Sequence, residues 1–329
     1  MKVMVTGANG FLGSWLTRRL TNEGHEVSIL VRSNSDLSEI EDLRPRVCYG
    51  DVTDPTTLLT HFAGQEAIFH LAGVVAYRKA DRPLMERVNV DGTHYVTQVC
   101  REYKIPRLVY VSSVVAVGAG FTANDVLNEE SPYNIAHLDL GYFETKRKAE
   151  LDVIQSCKKK EIDAVIVNPG TIYGPGDARK DSRKTQLKIA QGRFPFYTQG
   201  GICGVAIDDV IDGIMAAWKV GKSGERYILG GENITIKDLF ERIAHFSGVP
   251  APKRELPQWL LMALGSIGDT MDLVGLKGPI STENAWTATL YHWFDCSKAK
   301  RDLGYKTSDF NKALEASIRW SKDNGLLNR

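Results

Sequence analysis

The fold is decided near the start of the chain, by the stretch KVMVTGANGFLG at residues 2–13. An apolar strand runs into glycines at positions 7, 10 and 13, and a helical pattern follows. Gly7 permits a tight turn, Gly10 lets the backbone approach a pyrophosphate, and Gly13 lets the helix pack close to the strand. The N–H groups and the positive dipole end of that helix would face the phosphates. This order of strand, turn and helix predicts a dinucleotide-binding unit.

Short apolar runs alternate with amphipathic helical segments through the first half of the chain. The predicted strands are Lys2–Thr6, Glu26–Val31, Arg46–Tyr49, Ala67–Leu71, Leu108–Ser112 and Ala164–Val167. The predicted helices include Leu12–Asn22, Pro83–Tyr103 and Tyr142–Lys160. Fully apolar strands between helices indicate a parallel sheet covered on both faces. The fold class is therefore α/β, a doubly wound parallel sheet of the Rossmann type.

After about Tyr173 the pattern loosens into turn-rich sequence. A helix at Asp208–Val220 and a strand at Arg226–Leu229 are expected to return to the sheet. We predict a nucleotide-binding domain at residues 1–173, joined by residues 205–230, and a smaller, mostly helical substrate-binding part at residues 174–204 and 231–329. Acidic residues and glycines interrupt the apolar stretch Pro257–Leu276, which indicates helices over a pocket rather than a membrane span.

Composition and charge exclude several classes of function. The 329 residues are 43% hydrophobic and 25% charged, with a net charge of +1. That balance suggests no nucleic-acid partner. The five cysteines are far apart and form no Cys-x-x-Cys, so zinc and redox motifs are unsupported. Their odd number and the lack of a secretory leader favour a reduced cytoplasm. A small-molecule substrate is the expected partner.

Tyr142 and Lys146 lie four residues apart, which places them on one face of a helix. An ammonium near a phenol favours the phenolate, so we expect the pKa of Tyr142 to fall from about 10 toward neutral pH. Such a phenol suits proton transfer to or from a carbonyl/alcohol couple.

The glycine spacing with Tyr-x-x-x-Lys downstream resembles the extended short-chain dehydrogenase/reductases. Further segments match that family in order: Gly50-Asp51-Val52, His70-Leu71-Ala72-Gly73, Asn89-Val90-Asp91-Gly92-Thr93, Val111-Ser112-Ser113, Asn168-Pro169 and Tyr173-Gly174-Pro175-Gly176-Asp177. The resemblance covers nearly the whole chain, including the strand and helix order described above.

The resemblance implies a catalytic set of Ser113, Tyr142 and Lys146. Ser113 would hydrogen-bond the reacting carbonyl, with Ser112 as the alternative in register. Tyr142 would donate the proton, and Lys146 would tune it and bond the nicotinamide ribose. The implied cofactor-binding residues are Gly7, Asn9, Gly10, Phe11, Leu12, Gly13, Arg32, Ser33, Asp51, Val52, Leu71, Ala72, Gly73, Tyr142, Lys146, Pro169 and Ile172. Asn89 would support the catalytic helix, and His70 is expected to be buried and hydrogen-bonded.

The end of the second strand bears on the choice of nicotinamide cofactor. An acidic residue there would bond a ribose diol and repel a 2′-phosphate. This strand is followed instead by Arg32 and Ser33, which can offer a planar cation and a hydroxyl to a phosphate. The sequence therefore favours NADP(H), with NAD(H) as the alternative.

Three functions remain open at this point. A nucleotide-sugar epimerase or dehydratase usually has an asparagine where this chain has Thr171, and an arginine where it has Ile202. The dihydroflavonol reductase-like and 3β-hydroxysteroid dehydrogenase-like branch fits better, and implies an NADP(H)-dependent oxidoreductase acting on a ketone, aldehyde or alcohol. A non-catalytic nucleotide-sensing protein is the third.

Aromatic and apolar residues of the second half, most of them expected in the core, hint at a hydrophobic substrate: Phe194, Phe196, Tyr197, Trp259, Leu260, Met262, Met271, Trp286, Tyr291 and Trp293. By analogy with the family, we expect a homodimer whose interface is formed by the helices Pro83–Tyr103 and Tyr142–Lys160.

Overall fold

The computed structural model describes residues 1–177, 183–276, 278 and 280–327. Its strands are β1 Lys2–Thr6, β2 Glu26–Val31, β3 Arg46–Tyr49, β4 Ala67–His70, β5 Arg107–Val111, β6 Ala164–Pro169, β7 Thr171–Tyr173, β8 Phe196–Tyr197, β9 Gly201–Ala206, β10 Arg226–Leu229, β11 Glu232–Thr235 and β12 Arg254–Glu255. Seven of them form one parallel sheet in the order β10-β6-β5-β4-β1-β2-β3.

Helices of eighteen residues or fewer connect these strands. They are α1 Phe11–Asn22, α2 Pro55–Phe62, α3 Arg82–Met85, α4 Gly92–Glu102, α5 Gly141–Lys158, α6 Lys184–Ala190, α7 Ile207–Val220, α8 Ile236–Ser247, α9 Gln258–Leu273, α10 Thr282–Thr287, α11 Ser297–Leu303 and α12 Phe310–Asp323. Among the described residues, no helix is both long and apolar enough to cross a membrane.

Apolar side chains cover both faces of the seven-stranded sheet. On one face, Leu16 of α1 and Ile214 of α7 pack with alternate residues of β1, β2 and β5. On the other, Phe62 of α2, Val96 of α4 and Val153 of α5 pack with the intervening residues. Because successive side chains of a strand point to opposite faces, a strand buried on both sides must be apolar throughout. The predicted doubly wound α/β fold is confirmed, with β10 returning to the sheet edge as expected.

The second half of the chain builds a smaller layer of its own. It contains a three-stranded sheet in the order β11-β9-β7 and a two-stranded pair, β12-β8. Helices α6, α8 and α12 share a separate apolar cluster that includes Ile189, Ile243 and Leu314. β7 begins two residues after β6 ends, so this layer starts beside the carboxyl end of the main sheet. The boundaries given above for two domains stay a prediction.

The helix predicted over Pro83–Tyr103 is helical throughout, from Arg82 to Glu102, but it is not one regular α-helix. It divides into α3, a π-helical segment at Glu86–Asp91, and α4. Within the wide segment, the Asn89 amide reaches the main chain of Val74, accepting from its N–H at 2.8 Å and donating to its carbonyl at 2.9 Å. Single wide turns of this kind often lie at functional sites.

Several predicted ends shift by one or two residues. α5 begins at Gly141 and ends at Lys158, because Lys160 adopts a left-handed conformation with φ +58°. β6 extends to Pro169, since Leu229 of β10 pairs with it. β4 stops at His70 and β5 covers Arg107–Val111. Helix ends fray and are the least predictable part of an element.

Candidate active site

The glycine-rich turn packs tightly against the loop that follows β4. Gly7 has φ +72°, and a Cβ at this position would lie 2.8 Å from the Ala72 nitrogen. A Cβ on Gly13 would lie 2.0 Å from the Gly7 carbonyl oxygen. Both distances are too short for any side chain, so the turn and the first helical turn require glycine. The structural reasons predicted for Gly7 and Gly13 are confirmed.

The amino end of α1 has no side-chain cap. Its N-cap residue is Gly10, which has no side chain to bond the first N–H groups of the helix. Asn9 and Gly10 are exposed, whereas Phe11 is buried and Leu12 is partly buried. The N–H groups and the dipole of a helix start favour phosphate oxygens. This cradle, closed on one side by the Gly7–Gly13 contact, fits a dinucleotide pyrophosphate.

The residues predicted to hold the adenosine lie at the carboxyl ends of β2 and β3. Arg32 and Ser33 directly follow β2 and are exposed. Asp51 follows β3, and its Oδ1 accepts from the N–H and the hydroxyl of Thr53, each at 2.9 Å. Val52 is 7% exposed and packs into the core. The four predicted residues therefore share one sheet edge with the glycine-rich turn.

The residues predicted near the nicotinamide lie along the same edge. Leu71, Ala72 and Gly73 follow β4, and the N–H groups of Leu71 and Ala72 donate to the carbonyl and hydroxyl of Thr6, both at 3.2 Å. Pro169 ends β6 and Ile172 lies in β7. Carboxyl ends of parallel strands are where open α/β sheets bind ligands.

His70 joins the glycine-rich turn to α4. Its Nδ1 lies 2.7 Å from the Thr6 hydroxyl, and its Nε2 lies 3.1 Å from the Thr93 hydroxyl. Because the Thr93 hydroxyl donates to the Asn89 carbonyl at 2.7 Å, it accepts from His70, which places the proton on Nε2. The ring is fully buried, and burial lowers the pKa of His70 to about 3. The buried, hydrogen-bonded histidine that the sequence predicts here is confirmed.

Ser113 and Tyr142 meet through their side chains. Ser113 follows β5 and caps the short helix Val114–Ala116, and its hydroxyl lies close enough to the Tyr142 phenol to lower the pKa of that phenol. Ser112, the alternative in register, is buried at 6% exposure. Ser113 is thus the serine that shares a site with Tyr142.

Lys146 is buried one turn after Tyr142. Its Nζ donates to the carbonyl of Val111 at 3.0 Å, at the end of β5, and lies 5.0 Å from the centre of the Tyr110 ring. Burial lowers the pKa of Lys146 to about 8, and the nearby Glu150 carboxylate partly offsets this effect. The three residues predicted as catalytic therefore come together, from β5 and from the first turns of α5.

The expected fall in the pKa of Tyr142 is wrong for this structure. Burial raises the pKa of Tyr142 to about 12, and the nearby Ser113 hydroxyl only partly counters this rise. The free-energy cost of removing a phenolate from water exceeds the stabilisation that the site offers it, because the Lys146 ammonium is directed to the main chain of β5. The phenol is therefore protonated at neutral pH.

Asn89 supports α5 as predicted. Its amide donates to the Thr145 hydroxyl at 3.1 Å, and Thr145 lies between Tyr142 and Lys146 in the chain. The same side chain holds the loop at Val74. Asn89 thus fixes the catalytic helix relative to the loop after β4.

A second support, which the sequence analysis missed, lies below Ser113. The Asn168 amide donates to the Ser113 carbonyl at 2.9 Å and to the Glu150 carboxylate at 2.6 Å. Glu150 is fully buried and accepts from Arg226 at 3.0 Å. The available signal was the acidic residue four positions after Lys146, one further turn along the same helix face.

The aromatic residues named for the second half do not all lie near the candidate site. Trp286 packs in the same cluster as Tyr142, together with Tyr77 and Val115. Phe194 belongs to the core of the smaller layer, as expected for most of the set, and Trp259 is 71% exposed.

Comparison with known proteins places this arrangement in a family. Residues 3–230 match the NAD dependent epimerase/dehydratase family. A putative dihydroflavonol 4-reductase of Synechocystis is 30% identical, over 98% of this chain and 95% of that protein. Sterol demethylase protein B of Methylococcus capsulatus is 29% identical, over 99% and 100%.

A solved structure extends the likeness to three dimensions. The crystal structure of gox2253 superposes with a TM-score of 0.87 at 32% identity, covering 99% of each chain. The match therefore includes the glycine-rich turn, the catalytic helix and the smaller layer. On the strength of the family match and these relatives, the chain belongs to the NAD dependent epimerase/dehydratase family of enzymes, within the extended short-chain dehydrogenase/reductases.

Proposed function

We propose that this protein is an NADP(H)-dependent oxidoreductase that reduces a ketone or aldehyde of a hydrophobic small molecule, or oxidises the corresponding alcohol. The observation that carries the proposal is the closeness of the Ser113 hydroxyl to the Tyr142 phenol, with Lys146 buried one turn away. Two neighbouring hydroxyls can both donate to the oxygen of a carbonyl placed between them.

The three side chains have separate tasks in a reduction. Ser113 donates to the carbonyl oxygen and orients it. Tyr142, whose raised pKa keeps it protonated, gives its proton to the developing alkoxide. Lys146 would stabilise the phenolate left behind once its ammonium turns from the Val111 carbonyl toward the phenol. The bound nicotinamide supplies the hydride.

The preference for NADP(H) rests on Arg32 and Ser33. Both residues are exposed at the end of β2, on the sheet edge that carries the glycine-rich turn. A guanidinium there can bond a 2′-phosphate with two parallel N–H groups.

A hydrophobic substrate is supported by the surroundings of Tyr142. Tyr77, Val115 and Trp286 pack around it, each only partly buried. Such a lining suits an apolar body that carries one carbonyl. The names of the two relatives, a reductase and a sterol demethylase component, agree with this class.

A nucleotide-sugar substrate has weaker support. Ile202 occupies the position where that branch usually has an arginine, and it is 9% exposed within the apolar cluster of the smaller layer. An aliphatic side chain at this place offers no charge to a diphosphate. A nucleotide-sensing role without catalysis is also disfavoured, since Ser113, Tyr142 and Lys146 lie together.

We further propose a homodimer through the helices around α3 to α5. Leu84 and Leu151 are 41% and 45% exposed on these helices. A reduced, cytoplasmic setting is proposed from the cysteines, all five of which are free. Sedimentation velocity at several protein concentrations tests the dimer, and a Leu151→Glu variant should shift it to monomer.

The first test is paired titration calorimetry of the purified protein with NADPH and NADH, followed by a screen of hydrophobic ketones and aldehydes. We expect tighter binding of NADPH. Preference for NADH, or a bound cofactor that survives purification, would instead favour an epimerase or dehydratase, and nucleotide-sugars would be screened next.

Tyr142→Phe tests the catalytic assignment directly. It should lower turnover about 10²- to 10⁴-fold while the affinity for NADPH stays nearly unchanged, because the ring and its packing remain. Equal loss of turnover and of NADPH binding would contradict the role given to Tyr142.

A further inference from the structure

We propose that Glu283 of α10 is a positioning residue for Tyr142, and that it couples the substrate-binding part to the start of the catalytic helix. The inference rests on the proposed acid/base role of Tyr142. Glu283 is not part of any motif that identifies the family, and it lies outside the residues 3–230 that match it.

The Glu283 carboxylate caps α5 from a distant part of the chain. Its Oε2 accepts from the N–H of Gly141, the first residue of α5, at 3.0 Å across a separation of 142 residues. The N-cap residue itself is Leu140, whose aliphatic side chain accepts no hydrogen bond. A carboxylate at this end also complements the helix dipole. Glu283 thereby fixes the backbone immediately before Tyr142.

The other oxygen of the same carboxylate binds Arg82. Oε1 of Glu283 accepts from Nε of Arg82 at 3.0 Å and from Nη2 at 2.8 Å. Arg82 also donates to the side chain of Asp139 at 2.7 Å and to its carbonyl. A Cβ on Gly141 would lie 3.0 Å from Arg82, so the guanidinium stem lies directly against the start of α5. With a side chain only 5% exposed, Glu283 is enclosed between its two partners.

A second link runs from α10 to the ring of Tyr142. The hydroxyl of Ser281, which caps α10, donates to the carbonyl of Tyr77. The Tyr77 ring in turn meets the Tyr142 ring edge to face, at 6.1 Å between centres and an interplanar angle of 77°. Trp286 of α10 packs in the same cluster. The segment 281–286 is therefore linked to Tyr142 in two ways, through the backbone of Gly141 and through the ring of Tyr77.

This double attachment has a consequence for catalysis. The phenol must point at Ser113 to share a carbonyl with it, and Ser113 is held by β5 and Asn168, not by α10. A shift of α10 would therefore move one member of the pair and leave the other in place. Displacements of about 1 Å in such a pair can cost about 10²-fold in rate.

Glu283→Gln breaks the attachment with little change in shape. Glutamine has one acceptor oxygen, so it can serve Gly141 or Arg82 but not both, and its NH₂ group must face a donor. We expect kcat to fall at least about tenfold, with the Kd for NADPH within about twofold of wild type. The isotope effect on kcat with 4-deuterated NADPH should rise, because proton and hydride transfer become slower relative to other steps. Amide hydrogen exchange should accelerate in the peptide that begins α5.

The matched control is Glu86→Gln. Glu86 forms a salt bridge of 2.6 Å with Lys148, which lies in α5 like Tyr142. Both side chains of this pair are exposed, at 41% for Glu86 and 54% for Lys148. This variant should match wild type in kcat, isotope effect and hydrogen exchange. Glu283→Asp keeps two acceptor oxygens and should retain part of the lost kcat. If Glu283→Gln does not fold, Arg82→Lys takes its place, since one ammonium cannot reproduce the forked bonds to Glu283 and Asp139.

Tyr142→Phe, measured in parallel, separates this inference from the proposed function. If Tyr142→Phe keeps full turnover, the proposed function fails. If Tyr142→Phe loses turnover while Glu283→Gln keeps the wild-type kcat and isotope effect, the positioning role alone is overturned. A Glu283→Gln protein with a lower melting temperature but unchanged isotope effect and hydrogen exchange would likewise show a merely structural role.

Discussion

The nucleotide-binding edge and helix α9 differ sharply in how closely their atoms are packed. At the edge, main-chain atoms pack so closely that added Cβ atoms on Gly7 and Gly13 would lie 2.8 and 2.0 Å from their neighbours. In α9, Trp259 and Leu273 are 71% and 86% exposed. Where backbone contacts define a site, one carbon atom decides whether it forms. Where exposed side chains define a surface, substitution costs little.

The largest effect expected from this contrast is the difference in stability between two glycine-to-alanine substitutions, one at a packed glycine and one at an open glycine. Gly13→Ala places its Cβ against the Gly7 carbonyl and should destabilise the protein by about 3 kcal/mol or more, with loss of cofactor binding. Gly248→Ala, where nothing lies within 4 Å but φ is +70°, should cost only about 1 to 2 kcal/mol. Urea unfolding of both variants measures the difference, and equal costs would show that close packing at the turn is not what requires glycine.

The burial of Lys146 at this edge should also make the stability of the protein depend on pH. Lys146 has a pKa of about 8 in the folded protein and 10.5 when unfolded, so burial destabilises the charged form below about pH 8. Between these values the unfolded chain binds a proton that the folded protein has released, and the free energy of unfolding therefore rises with pH. Above pH 10 the raised pKa of Tyr142 acts in the opposite direction, since the unfolded phenol ionises first.

We therefore expect wild type to gain about 1 to 2 kcal/mol relative to Lys146→Met between about pH 8 and about pH 9.5. Urea titrations at each pH measure it. Lys148→Met removes an exposed ammonium from the same helix and should leave the pH dependence as it is. A constant difference between wild type and Lys146→Met across this range would show that Lys146 keeps an ordinary pKa.

At Arg32 the nucleotide-binding edge depends on an exposed side chain, so a substitution there should have the smallest effect of those considered. Arg32→Ala should weaken NADPH binding about tenfold and leave NADH binding nearly unchanged, because only the 2′-phosphate loses a partner. Arg46→Ala removes the same charge at the opposite edge of the sheet, at the start of β3, and serves as the control. Calorimetric titrations with both cofactors give the comparison, and an unaltered NADPH preference would remove Arg32 from the site.

The features that the sequence predicted are those that short segments determine. The turn at Gly7 to Gly13 follows from local sterics, and the seven parallel strands follow from apolar runs between helices. The family resemblance implied that Ser113, Tyr142 and Lys146 share a site, and the structure brings these three together.

The features that sequence reasoning missed depend on contacts between distant segments. The wide turn at Glu86–Asp91 is tied to bonds from Asn89 to Val74 and Thr145, which no local pattern reveals. The raised pKa of Tyr142 comes from burial by the rest of the chain. Glu283 lies 142 residues from Gly141, and an isolated glutamate in a helical segment carries no signal of its partner.

His70 gives this enzyme a built-in spectroscopic reporter. Its ring nitrogens are bonded to Thr6 and Thr93, and its pKa of about 3 keeps it neutral with the proton on Nε2 across the range in which the enzyme can be studied. The ¹⁵N resonances of this ring should therefore be constant with pH. Because Thr6 also holds the loop at Ala72, they should shift when a nucleotide settles on the adjoining turn. Ring-labelled histidine would thus follow occupancy of the cofactor site without any turnover assay.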